Sequence, residues 1–127
     1  MFVFSNPHPR GLRVTDCVKR AFVHATGESY RDVQQMLNQV KREVRAKAFN
    51  STTVWKTVVE RRGYQKLSFP AVKGESRMNG HTFTKKFPKG TYILRMAKHL
   101  SCCIDGVIYD TFDCRDKCVY TAWKVEG

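Results

Sequence analysis

Asp105-Gly106 divides two β-rich runs, HLSCCI and VIYDTF, and this dipeptide favours the two-residue type I′ turn of a β-hairpin. It therefore sets a register. Ile104 pairs with Val107, Cys103 with Ile108 and Cys102 with Tyr109; farther out, Ser101 faces Asp110, Leu100 faces Thr111 and His99 faces Phe112. Cross-strand partners share a face of the sheet, so His99, Ser101, Cys103, Ile108, Asp110 and Phe112 lie together. TYILRMA upstream and CVYTAWKV at the end are expected as further strands.

The N-terminal half has a different period. CVKRAFVHAT carries apolar residues at helical spacing, Thr15 or Asp16 can cap it, and Gly27 suits its C-terminal end. Ser29 opens a second helix with a Ser-Tyr-Arg-Asp capping pattern and a stripe of Val33, Met36, Leu37, Val40 and Val44. Asn50 or Ser51 caps a third over TTVWKTVVERR, stopped by Gly63. YQKLSF reads as a short extended piece, AVKGESRMNGH as a surface loop holding His81, and TFTKKF as one or two helical turns before Pro88-Lys89-Gly90. Helices first and antiparallel strands later predict an α+β fold, and 127 residues suit one domain spanning 1–127.

Composition narrows the function classes. With 42% hydrophobic and 27% charged residues the chain is neither disordered nor collagen-like. No stretch approaches the roughly 18–20 apolar residues of a membrane-spanning helix. MFVFSNPHPRG does not read as a signal peptide, so the expected location is inside the producing cell. Twenty-three Lys and Arg against 11 Asp and Glu give +12, a field that attracts nucleic acid and acidic protein surfaces. The basic residues include Lys41, Arg42, Arg45, Arg61 and Arg62, with Trp55, Tyr64, Phe69 and Phe83 interleaved. Aromatics among cations can stack bases beside phosphate contacts; equally, they can face inward while the cations face water.

Five cysteines leave at least one thiol unpaired within the chain. Cys17 falls at the start of the first helix, where unpaired N–H groups and the helix dipole favour a thiolate. Asp110, diagonal to His99, is placed to hold one ring nitrogen and leave the other to take a proton from a thiol. Asp113 would point the other way unless a bulge intervenes. Cys102, Cys114 and Cys118 with one histidine make a weaker zinc candidate, without a Cys-x-x-Cys unit; His24 and His8 read as structural or exposed.

A helix-borne Cys, then a His on a strand, then an Asp on the next strand is the order of papain-fold cysteine hydrolases. TDCVKRAFVHATGESY and KGTYILRMAKHLSCCIDGVIYDTFDC resemble a family of small phage- and prophage-encoded papain-like proteins. The resemblance implies a minimal papain-like fold, with the nucleophile helix packed on a C-terminal antiparallel sheet. It implies Cys17 as nucleophile, His99 as general base and acid, and Asp110 as orienter, with no metal and no cofactor. Asn6 is the amide available upstream of Cys17 to support an oxyanion. The expected function is a cysteine peptidase or amidase acting on host or phage peptides in the cytoplasm of a bacterial host, with weak nucleic-acid binding and no membrane partner. The alternative is a non-enzymatic, basic host-takeover or anti-defence protein that binds a nucleoprotein complex or an acidic host protein.

Overall fold

The computed structural model describes residues 1–125. Ten elements follow in the order β1 (Phe2–Phe4), α1 (Cys17–Thr26), α2 (Tyr30–Val44), α3 (Thr52–Arg61), β2 (Gln65–Ser68), α4 (Gly80–Lys86), β3 (Thr91–Met96), β4 (His99–Ile104), β5 (Val107–Asp110) and β6 (Val119–Val125). The fold is α+β.

Local chemistry accounts for most boundaries. Gly27 closes α1 in the left-handed conformation at φ 75°, a region open to glycine at little cost. Ser29 caps α2 by accepting from Asp32 N at 3.0 Å. Asp16 occupies the N-cap position of α1 but makes no side-chain cap bond; its carboxylate is used elsewhere, as described below. His81 lies within α4 rather than in the loop expected for it.

The six strands form one sheet in the order β1-β5-β4-β3-β6-β2. Strands β4 and β5 pair Ile104 with Val107, Cys103 with Ile108 and Cys102 with Tyr109, the register set by Asp105-Gly106. The sheet is not wholly antiparallel, nor wholly C-terminal. Strand β1 runs parallel to β5, with Phe4 opposite Asp110, and β2 pairs antiparallel with β6 at the far edge. Three residues are too few for a two-residue period to mark β1 as a strand; a partner more than a hundred residues away makes it one.

Two apolar clusters fill the two faces. Helices α1, α2 and α3 bury Phe22, Leu37, Val54 and Trp55 against Ile93, Leu100 and Trp123. On the other face Phe83 of α4 packs with Tyr92, Leu94, Cys103 and Ile108, and Phe69 and Phe87 add their rings. Phe22 and Phe83 are completely buried, each contributing on the order of 2–3 kcal/mol from removal of its surface from water. Among the described residues no helix is long and apolar enough to cross a membrane.

Candidate active site

The site lies where the start of α1 meets the start of β4 and the end of β5. Asp16 O accepts from Arg20 N at 3.0 Å and so closes the first turn. The preceding N–H groups of that turn have no partner within the helix. Cys17 sits there, half-buried. Burial pushes its thiol pKa up, but hydrogen bonding to His99, the Leu100 backbone and the positive charges of His99 and Arg20 outweigh it. The thiol is held below its ordinary 9.0.

His99 follows the two-residue turn Ala97-Lys98, in which Lys98 adopts a left-handed φ of 53°. Its Nε2 lies 2.6 Å from Asp110 Oδ2, which leaves Nδ1 as the ring nitrogen available to Cys17. The Phe112 ring covers the imidazole at 4.9 Å between centroids. Burial alone would favour the neutral ring, but hydrogen bonds to Asp110, Cys114 and Cys17 raise the pKa to about 11.

Asp110 is saturated with donors. Ser101 Oγ donates to it at 2.6 Å, Thr111 N at 2.7 Å and Arg20 Nη2 at 3.3 Å, in addition to His99. Against the opposing effect of burial, His99, Ser101 and Thr111 lower its pKa to about 2. A charged acceptor with this many donors keeps its ionised form even when buried.

Behind the triad runs a chain that sequence reasoning missed. Arg20 bridges Asp110 and Asp16, and Tyr30 donates from its hydroxyl to Asp16 Oδ2 at 2.8 Å. Asp16, Arg20 and Asp110 are all buried. Arg20 therefore ties α1 to the carboxylate that holds His99. The signal was present, since Asp16 and Arg20 stand four apart on one helix face, but only the packing shows that this face is buried. Cys114, expected only as a weaker zinc candidate, also joins this group: its Sγ lies 3.6 Å from Asp110 Oδ2.

Other candidates are placed differently. Asn6 donates to Leu12 O at 3.0 Å and accepts from His8 N at 3.1 Å, so both ends of its amide hold its own loop. It does not line the cavities at Cys17. Asp113 binds Arg115 at the surface, Nη2 to Oδ2 2.7 Å. Arg61 pairs with Glu43 and Arg62 with Glu28, while Arg42 donates to Gln39. Trp55 and Phe83 are core residues and present no stacking platform. His24 meets Ser5 Oγ at 2.9 Å, and His81 meets Asp116 Oδ1 at 2.9 Å. For a metal, the donor atoms of His99, Asp110 and Cys114 lie within 4.8 Å of one another; among the described residues, Cys102 and Cys118 do not join that group.

Cys17 and His99, with Thr15 and Lys98, line both of two cavities, of about 310 and 250 Å³. The larger is walled by Val18, Trp55, Met96 and Leu100 and rimmed by Arg95 and Lys98. The smaller is bounded by Val14, Phe112 and Lys117. A thiol held below its ordinary pKa, beside a largely buried imidazole anchored on a carboxylate, has the composition that a nucleophile–base–orienter set requires. No protein-family model matches the chain, and neither a curated protein nor a solved structure is significantly similar to it.

Proposed function

We propose that this chain is a papain-like thiol hydrolase, a cysteine peptidase or amidase of the small phage-encoded kind, acting on host or phage peptides in the cytoplasm of a bacterial host. The observation that carries the reading is His99, held through Nε2 by Asp110 at 2.6 Å and lining the same two cavities as Cys17 at the head of α1. The Cys17 thiolate attacks an acyl carbon, and the oxyanion forms against the free N–H groups of the first turn of α1. The His99 imidazolium protonates the leaving group, which departs and leaves a thioester on Cys17. Acylation removes the thiolate that helped keep His99 charged, so the ring can then accept a proton from the water that hydrolyses the thioester.

Alkylation tests this. Iodoacetamide at neutral pH should modify Cys17 well before the other four cysteines, as read by peptide mass spectrometry. Burial pushes the thiols of Cys102 and Cys103 up, the latter to about 11, which slows them further. Labelling of Cys17 no faster than the others in the folded protein would overturn the reading. One observation favours the alternative, a basic protein that binds an acidic host protein or a nucleoprotein complex without catalysis. The Asn6 amide is spent in its own loop, so the oxyanion would rest on backbone donors without an upstream side-chain amide.

A further inference from the structure

The larger cavity at Cys17 carries charge that the reaction does not use. Arg95 and Lys98 line it, and neither forms an ion pair among the described residues. The Arg95 guanidinium lies over the Trp55 ring, 5.8 Å from its centroid, and Lys98 projects from the tight β3–β4 turn. No carboxylate lines this cavity. In the smaller one Lys98 recurs beside Lys117, and its acid, Asp16, is buried and bound to Arg20. An anion entering here meets two free cations and no competing acid.

We propose that the Arg95–Lys98 cavity takes the acyl segment of an acidic peptide, with an Asp or Glu carboxylate seated between the two cations. This rests on the thiol-hydrolase reading for which part of the substrate is seated there. A planar guanidinium matches a carboxylate through two parallel N–H donors, and a partly covered site strengthens such a bond. The apolar walls, Val18, Trp55, Met96 and Leu100, suit the methylene carbons of Glu. A cavity of about 310 Å³ accommodates a short side-chain-bearing segment. Nucleic acid fits less well: Trp55 is buried, with Trp123 at 79° to it and 5.2 Å away, so its ring cannot stack a base.

The test is fluorescence anisotropy with two labelled hexapeptides, one carrying Glu at alternate positions and one with Gln in their place. The Glu peptide should bind about tenfold or more tightly, the range of a charge-assisted pair in a partly covered site. Arg95→Glu with Lys98→Glu should abolish that preference, whereas Lys85→Glu with Lys86→Glu, on α4 across the sheet, should keep it. Equal affinity for the two peptides overturns the proposal. So does loss of the preference in the α4 variant to the same extent, because the net charge would then be its cause. Tighter binding of a single-stranded oligonucleotide of equal charge, lost on changing Arg95 and Lys98, also overturns it. The hydrolase reading fails separately, through iodoacetamide labelling of Cys17 without peptide, so each failure is recognised on its own.

Discussion

At the scale of single residues, electrostatics at His99 and Asp110 set the behaviour of the site. With His99 raised to about 11 and the Cys17 thiol held below its ordinary 9.0, His99 is charged at neutral pH and Cys17 ionises more readily there than a free thiol. The rate of Cys17 alkylation should therefore fall on acidification with a midpoint below that of a free thiol. His99→Ala removes the imidazolium and leaves burial to act on the thiol. Alkylation at pH 7 should slow by about tenfold for each unit the Cys17 pKa rises; an unchanged rate would separate the two residues. The same shifts predict a stability window. His99 titrates higher in the fold than its ordinary 6.5, so its contribution is complete below pH 6.5 and is lost as pH rises through about 11. Asp110 titrates below its ordinary 3.8, so its contribution is complete above pH 3.8 and is lost as pH falls toward 2. Urea unfolding of wild type and His99→Gln should differ most between about pH 4 and 6.5, and a difference independent of pH would exclude the ion pair as its source. Arg20 tests the support behind the triad. Arg20→Met leaves Asp16 and Asp110 buried without their shared cation and should cost about 3–5 kcal/mol in urea unfolding. It should also raise the midpoint of Cys17 alkylation, because the Arg20 charge helps lower that thiol.

At the scale of elements, short segments are held by close approaches rather than by length. The first residue of α4, Gly80, comes so near the loop after β5 that a Cβ there would lie 2.6 Å from Arg115 Cα. Backbone on both sides cannot yield cheaply, so Gly80→Ala should cost about 1–3 kcal/mol and lower Tm by several degrees, read by circular dichroism. That loop carries Cys114, next to Asp110, so the strain should reach the site. The hairpin was legible because Asp105 and Gly106 both adopt positive φ, 48° and 77°, as a type I′ turn requires. Helices α1 and α2 were legible because their apolar residues recur on one face. Strand β1 was not, because its pairing with β5 is non-local and its residues carry no pattern of their own.

For the molecule as a whole, the charge of +12 invites a nucleic-acid reading that packing weakens. Arg61 and Arg62 are engaged by glutamates, and Trp55 and Phe83 face the core. The expected outcome is weak binding to duplex and single-stranded DNA that falls steeply with salt, since it rests on counterion release. Lys41→Glu, Arg42→Glu and Arg45→Glu together should weaken it without sequence preference, while Cys17→Ala leaves it intact. A gel-shift titration at two salt concentrations measures this, and the absence of a shift at micromolar protein would remove nucleic acid from consideration.

The order of elements from α1 onward, the hairpin register and the placing of Cys17 at a helix start were determined by the sequence itself, because each depends on side chains within a few positions of one another. The proximity of Ser101, His99 and Asp110 followed from that register. What only the tertiary structure decided depends on distance through space. The meeting of Cys17 and His99 at the same two cavities arises from packing α1 across β4, and the burial of Arg20 between two aspartates requires α1, α2 and β5 to meet. Asn6 was turned away from the site by bonds within its own loop, an arrangement that spacing along the chain cannot reveal. Periodicity reports which face of an element is buried; it does not report which buried faces will touch.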